Sequence, residues 1–426
     1  MSDSSLELRA PNGTHDVLWP ESSRWEKLIG IFSRLVESAG YGLTITPTFE
    51  DSRLFRRGIG EESEVVRKEM YEFSDRGGRH FALRPEGTAP MVRAFIQHRP
   101  TLPWKVWYGG PSFRYERPQA GRYRQHHQLG IEALGSYDPD LDTEVISLAN
   151  EFYGLVGLES VALKINSMGD SLCRSGYIQA LRESLEDKRD QLCSEHQARL
   201  DANPLRVLDC KRQECLEATK DVPWIVDFLC SDCSSHFERV QDGLGCLGVG
   251  FEIDNRLVRG YDYYTRTAFE FSSSASTAAQ NALGGGGRYD ALVEMLGGPP
   301  TPGIGFGIGI ERVLLACDAE STFAVRPQAL DVYVIDITDG TTARMLTALL
   351  RKNGLKAERG FDSRSLKSQM KSADRSNASL ALIIGSQEVA SGSVTLRRLR
   401  VEAQQIQIPI SEVVEQVKKI LREDIA

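Results

Sequence analysis

Five segments of this 426-residue chain bring together residue types that can do chemistry. FRYERPQAGRYRQHHQLGIE, residues 113–132, carries Arg114, Arg117, Arg122 and Arg124 in a glycine- and proline-broken loop. A guanidinium's planar fork makes bidentate, charge-assisted hydrogen bonds, which suits a phosphate. Beyond the loop Gln128, Gly130 and Glu132 are two apart and share one strand face. In GIGFGIGIER, 303–312, Gly303, Gly305, Gly307 and Gly309 fall on one face of a strand, and Ile304, Phe306, Ile308 and Ile310 on the other. One face is core; the other is bare backbone, useful where a flat ligand must lie close. Glu311 and Arg312 follow at a helix start, which sets a guanidinium beside that bare surface.

The remaining three segments are smaller. In LRPEGTAP, 83–90, Glu86 and Thr88 alternate in period two and point into one pocket, with an acid suited to an ammonium group. LVRGYDYYTRTAFEF, 257–271, predicts a strand that sets Arg259 beside three tyrosines, Tyr263 and Tyr264 among them. GGGGRYD, 284–290, reads as a glycine hairpin turn leading to Arg288, Tyr289 and Asp290. Each segment alone has a plainer explanation: a solvated basic loop, tight strand–helix packing, a turn with an exposed acid, core tyrosines, a hairpin. Together they supply arginines for phosphates, a bare strand for a base and polar groups for a small zwitterion. Those are the parts of an ATP-plus-amino-acid pocket. There is no Gly-Lys dipeptide and hence no Walker-type phosphate loop, and GIGFGIG fails G-x-G-x-x-G.

These segments need elements to hold them. Trp25, Leu28, Ile29, Phe32 and Leu35 have helical spacing and predict a helix from about Glu21 to Ala39, closed by Gly40. Short apolar runs between Phe81 and Leu134 predict antiparallel strands. From about Ile165 to Gly248 the texture turns to polar helical segments and reads as an insertion; strand character returns afterwards and runs to Ile310. A linker around Val325–Gln328 leads to a final module in which DVYVIDI, LKAERG, ALIIG and two further strands alternate with helices. That alternation predicts a small α/β domain with a parallel or mixed sheet.

The bulk properties agree with an ordinary soluble enzyme of more than one domain: 41% hydrophobic, 26% charged, no secretory pattern at the start. No apolar run approaches the ~18–20 residues that span a bilayer, so no membrane partner is expected and the expected location is cytoplasmic. From Pro327 onward 15 Lys and Arg stand against 12 Asp and Glu, so a net +3 module closes a chain of net −8. That is a weak hint of an RNA backbone as partner. Six of eight cysteines fall between Cys193 and Cys246. Cys193-x2-His196, Cys210-x4-Cys215 and Cys230-x2-Cys233 have the short spacings of zinc ligands. Structural zinc on Cys193, Cys210, Cys215, Cys230 and Cys233 and free thiols in a small core both remain open readings.

In order and spacing, RPEGT, FRYERPQAGRYRQHHQLGIE, LVRGYDYYTRTAFEF, GGGRYD and GIGFGIGIER resemble the signature segments of histidyl-tRNA synthetases. FRYE and GIGIER are similar to motifs 2 and 3 of class II synthetases; LVRGYDYY and GGGRYD are similar to the two histidine-specific motifs. The likeness extends over nearly the whole chain. It implies an α+β fold: a class II catalytic domain over residues 1–325, an antiparallel sheet flanked by helices with an insertion at about 168–248. An anticodon-binding α/β domain over 328–426 would follow. It implies activation of histidine with ATP and Mg²⁺, transfer to tRNA(His), and a homodimer. By the same resemblance Arg114, Arg259 and Arg312 are the catalytic arginines on the phosphates. Glu116, Gly305, Gly307 and Gly309 join Arg114 and Arg312 around ATP. Glu86, Thr88 and Gln128 receive the substrate's ammonium, and Glu132, Tyr263, Tyr264 and Tyr289 surround the imidazole. Arg117 and Gln119 would meet the tRNA acceptor end. A synthetase-like regulatory subunit is the rival reading, and the presence of the complete arginine set and the final domain speaks against it.

Overall fold

The structure, a computed structural model, describes residues 8–61, 63–275, 281–324, 330–361 and 364–423. The chain forms two compact units, 1–324 and 325–426; the linker expected at Val325–Gln328 lies outside the described residues.

The first unit contains β1 (Gly42–Leu43), β2 (Phe49–Asp51), β3 (Glu72–Ser74), β4 (His80–Leu83), β5 (Trp104–Phe113), β6 (Gln125–Leu134), β7 (Val161–Ser167), β8 (Glu252–Ile253), β9 (Thr265–Ser273), β10 (Ala282–Arg288) and β11 (Gly303–Gly309). Eight of them form one sheet in the order β1-β5-β6-β11-β10-β9-β7-β8. Its interior pairs are antiparallel, and only the short edge strands β1 and β8 pair in parallel. A second, three-stranded sheet runs β2-β4-β3.

Alternation along the central strands divides the large sheet into a greasy face and a polar one. Leu129, Ile131 and Ala133 of β6 and Ile304, Phe306 and Ile308 of β11 join one buried cluster. Helix Glu21–Ser38 lays Leu28, Phe32, Leu35 and Val36 on that face, as its 3.6-residue spacing dictates. The Phe32 ring packs edge-on to Phe152, at 5.3 Å between centroids, and to Trp107 and Phe306, each at 6.1 Å. Helices Pro139–Leu155 and Ile310–Ala319 complete the layer. The opposite face carries Gln128, Gly130 and Glu132, in register with Gly309, Gly307 and Gly305 of β11.

Three local expectations are corrected. Residues 284–287 are not a hairpin turn but the middle of β10, paired on both sides. They are glycines because a Cβ at Gly285 would lie 3.0 Å from the Arg259 guanidinium, one at Gly287 would press on the Tyr264 ring and one at Gly286 on Phe306. Glu86 and Thr88 do not alternate on a strand: Glu86 lies in the loop before helix Thr88–His98, and Thr88 opens that helix. The segment Leu257–Tyr264 is also loop, with strand beginning only at Thr265.

Between β7 and β8 the chain runs through helices Ser171–Glu186, Ser194–Gln197, Gln213–Ala218 and Ser231–Cys246. The stretch from Tyr177 to Ile225 builds a small core of its own, including Leu181, Leu185, Leu200 and Cys215. Phe237, Val240 and Leu244 of the last helix instead join the main core.

The second unit has β12 (Val332–Asp336), β13 (Ala357–Arg359), β14 (Leu380–Ile384), β15 (Ser393–Arg398) and β16 (Ile406–Pro409), ordered β13-β12-β14-β15-β16. The first three are parallel and the last two antiparallel, which makes the expected mixed sheet. Apolar clusters cover both faces. A short helix, Ser386–Ser391, was not anticipated.

Candidate active site

The polar face of the large sheet floors a cavity of about 990 Å³ that is open to solvent. Around it stand Glu86, Thr88, Arg114, Glu116, Gln128, Arg259, Tyr263, Tyr264, Gly307, Gly309 and Arg312. Residues from four separate stretches of sequence thus meet in one place.

Behind the floor lies a carboxylate that is wholly buried. Glu132 accepts hydrogen bonds from the Thr88 hydroxyl (2.7 Å), the Tyr108 hydroxyl (3.2 Å) and the Tyr289 hydroxyl (2.5 Å). Burial pushes its carboxyl up to about 8, against the downward pull of those hydroxyls. Because Thr88 and Tyr108 spend their protons on Glu132, what they present to the cavity is oxygen lone pairs. A cavity wall of that kind receives N–H donors. The neighbouring strands leave room for it: a Cβ at Gly305 would collide with the Glu132 carboxylate, and Cβ atoms at Gly87 and Gly130 would collide with the Tyr108 ring.

Glu86 is also buried, and its two oxygens accept from the backbone N–H groups of Thr88 (2.5 Å) and Ala89 (2.9 Å). It therefore caps the positive end of helix Thr88–His98. Burial raises its carboxyl. Gln128 takes a hydrogen bond from the Ser112 hydroxyl at 3.1 Å.

The three arginines are each held by the protein at a fixed point. Arg114 donates through Nε to the Pro85 carbonyl (3.0 Å) and through Nη2 to the Tyr261 hydroxyl (2.5 Å). Arg259 lies over the Tyr264 ring at 5.5 Å and pairs with Glu270 at 3.2 Å, while its Nε is buried with no partner. A buried donor without an acceptor is costly unless a ligand supplies one. Arg312 donates to the carbonyls of Gly121 (2.9 Å) and Ala282 (3.1 Å). Gly121 has φ +73, a left-handed conformation that suits glycine and turns its carbonyl to Arg312. Glu311 anchors the same helix start by accepting from the His127 backbone N–H (3.0 Å) and ring Nδ1 (2.9 Å). Three fixed cations, an open floor and a recessed acceptor cluster suit a triphosphate and a small amino-bearing substrate.

Residues 13–313 match the family model described as histidyl-tRNA synthetase, and 331–420 match an anticodon binding domain. The chain belongs to the histidyl-tRNA synthetase family. It is 46% identical over 421 residues to a histidine–tRNA ligase of Halothermothrix orenii, covering 98% of this chain and 100% of that one. It is likewise 46% identical over 415 residues to a histidine–tRNA ligase of Moorella thermoacetica, covering 96% and 98%. Among solved structures, the apo histidyl-tRNA synthetase of Staphylococcus aureus superposes with a TM-score of 0.82 at 35% identity, over 96% of this chain and 100% of that one. The class II fold, with its antiparallel catalytic sheet, flanking helices and C-terminal α/β domain, is thus that of the histidyl-tRNA synthetases.

Not every residue singled out in the sequence reaches this synthetase's cavity. Glu132 and Tyr289 sit behind its wall, joined to it through Thr88 and Tyr108. Gly305, expected in the ATP floor, is covered by the Glu132 carboxylate, so the bare strand is confined to Gly307 and Gly309. Arg117 and Gln119 are exposed in the β5–β6 loop and do not line the cavity. Lining residues that the sequence did not single out include Tyr108, Tyr123, His126 and Glu270. The alternation Phe269–Glu270–Phe271 on β9 was the available signal for Glu270, since it turns one acid away from two core rings. His126 is kept neutral, held well below the usual imidazole range by burial and then by Arg114 and Arg312.

Proposed function

We propose that this chain condenses histidine with ATP to histidyl-adenylate and pyrophosphate, then transfers histidine to the 3′ end of tRNA(His). The observation that carries the proposal is the convergence of Arg114, Arg259 and Arg312 on a cavity backed by the Glu132 hydroxyl cluster. The substrate carboxylate attacks the α-phosphorus, and charge develops on phosphate oxygens as pyrophosphate leaves. Arg114 and Arg259 stabilise that charge at the α-phosphate and Arg312 at the γ-phosphate, without reorganising as the charge forms. Glu86, Thr88 and Gln128 receive the ammonium group. Tyr263 and Tyr264 enclose the imidazole, and Glu132, held from behind by Tyr289, orients the hydroxyls that accept its N–H. Gly307 and Gly309 floor the adenosine, with Glu116 beside it.

Mg²⁺ fits this cavity: Glu116 and Glu270 offer the oxygen donors a hard dication takes alongside phosphate, and they would hold it. Bound there it neutralises charge on the triphosphate. Arg117 and Gln119, exposed on the loop beside the cavity, would meet the acceptor end of the tRNA. The first unit carries the chemistry with its insertion, and residues 328–426 read the anticodon. The enzyme is proposed to work in the cytoplasm as a homodimer. Leu43, Ile45, Phe49 and Phe73 are large apolar side chains left 42–84% exposed on this unit, which favours a second copy as their cover. Light scattering on the purified chain decides the dimer. Charging of tRNA(His) with radiolabelled histidine tests the activity: acylation dependent on ATP is expected, and a folded chain that charges no tRNA would overturn the reading.

A further inference from the structure

The insertion's cysteines look like one pool in the sequence, but the fold sorts them into two separate groups. In the first, the ligand atoms of Cys193, His196, Cys210 and Cys215 all lie within 4.8 Å of one another. In the second, so do those of Asp170, Cys173, Cys230 and Cys233. Asp170 and Cys173 were outside the sequence-derived set, and His196 was noted there only for its spacing. We propose that the insertion binds two structural zinc ions, one on Cys193, His196, Cys210 and Cys215 and one on Asp170, Cys173, Cys230 and Cys233.

The dimensions suit the ion. Zinc–sulfur bonds of ~2.3 Å place the corners of a tetrahedron ~3.8 Å apart. Cys215 Sγ stands 3.8 Å from His196 Nδ1, and Cys193 Sγ stands 3.0 Å from the same nitrogen. In the second group Cys230 Sγ is 3.9 Å from Asp170 Oδ2, while Asp170 Oδ1 is occupied in capping helix Ser171–Glu186. One carboxylate oxygen thus holds the helix and the other faces the sulfurs. Three sulfurs with one nitrogen or oxygen at the fourth corner is a zinc donor set, and protein donors at all four corners mark a structural site.

Backbone donors already point at two of the sulfurs. The Cys193 backbone N–H donates to Cys215 Sγ at 3.3 Å, and that of Cys230 donates to Cys173 Sγ at 3.1 Å. Bonds of this kind orient metal-bound sulfur and stabilise its charge. Arg266 Nη2 lies 3.9 Å from Asp170 Oδ2. Disulfides cannot satisfy the arrangement, because each group contains three cysteines and pairing would strand one. A fold reason exists as well. The insertion's own core is small and its helices are short, the situation in which a metal clip supplies folding free energy. The first ion would fasten residues 193–196 to 210–215. The second would tie the start of helix Ser171–Glu186 to the start of helix Ser231–Cys246. Arg174, on the helix the second ion holds, donates to the Tyr264 carbonyl at 2.9 Å, so that clip also braces a wall of the cavity.

Metal analysis of the full-length chain, produced in zinc-supplemented medium and desalted, tests this. Two zinc ions per chain are expected. The pair Cys193→Ser with Cys215→Ser should retain one, and so should Cys230→Ser with Cys233→Ser. Replacement by Co²⁺ should give thiolate-to-cobalt charge-transfer bands and the visible bands of tetrahedral cobalt. If a serine pair prevents folding, titrating the wild type with an organomercurial thiol reagent counts the released zinc without it. A chain that carries no zinc and gains none from a ZnCl₂ titration overturns both sites. A count of one overturns the site whose serine pair leaves that count unchanged.

Discussion

Replacing Glu132 by Gln tests the direction of hydrogen bonding in the substrate pocket. Once Glu132 has ionised, above about pH 8, three hydroxyls point their protons at its carboxylate, and Thr88 and Tyr108 turn lone pairs toward the cavity. Glutamine keeps the volume but has one acceptor oxygen, and its amide N–H₂ meets at least one hydroxyl that must reverse. With the amide turned to Thr88 and Tyr108, which share Oε1, a reversed hydroxyl aims a donor at a substrate N–H. A hydrogen bond to a charged group contributes ~1.5–3 kcal/mol, so inverting one lowers kcat/KM for histidine by ~10- to 150-fold in pyrophosphate exchange, with KM for ATP unchanged. The pH dependence adds an independent check. The carboxyl rises from 4.5 to about 8 on folding, burial being the largest cause. A raised carboxyl contributes stability that is complete below its unfolded value and is lost as pH rises through the folded one. Wild-type stability relative to the glutamine variant therefore falls between about pH 4.5 and 8, by at most ~5 kcal/mol. Near pH 8, where Glu132 ionises in the folded enzyme, kcat/KM for histidine climbs in the wild type, and that limb disappears in the variant. An unaltered kcat/KM for histidine in Glu132→Gln, or a limb that survives there, would rule out this hydrogen-bond direction.

Other expectations follow from the same geometry. Arg259→Ala removes a fixed donor from the developing phosphate charge and should lower exchange ~10²- to 10³-fold; its melting temperature should stay near that of the wild type, because its partner Glu270 is partly solvated. Arg288 is fully buried and donates through Nε to Asp142 Oδ1 at 3.0 Å, so Arg288→Leu strips a buried carboxylate of its guanidinium and leaves it only His236 and Thr267. That substitution should destabilise the first unit by ~3–5 kcal/mol, read by calorimetry. Gly307→Val puts a branched side chain on the cavity floor, where little but Gln128 stands near; KM for ATP should rise while the fold survives. Arg117→Ala should weaken tRNA charging and leave exchange intact, since that side chain is exposed outside the cavity.

Much of this arrangement is legible in the sequence wherever one periodicity serves one purpose. The GIGFGIG alternation places Ile304, Phe306 and Ile308 in the core and the glycines opposite, and the structure has them so. The helix over Glu21–Ser38 and the alternating final module are equally plain. Legibility fails where long-range contacts, and not local pattern, set the residue type. The four glycines at 284–287 look like a turn because the rings and guanidinium that need their space lie far off in sequence. Glu86 and Thr88 look like a strand pair because Glu86 caps a helix through its side chain, a geometry that also occurs at spacing two. Glu132 reads as a lining residue, and only the fold shows it recessed behind Thr88 and Tyr108. The cysteine groups were hardest, since one site draws its ligands from residues 170 to 233.

The recessed acceptor cluster implies that the cavity activates histidine and no other amino acid. ATP–pyrophosphate exchange with each of the twenty amino acids, without tRNA, tests it most directly. Exchange with histidine alone is predicted, because the recessed acceptor cluster rewards a side chain with an N–H to donate. Exchange with a different amino acid, or none from folded protein, would contradict the account.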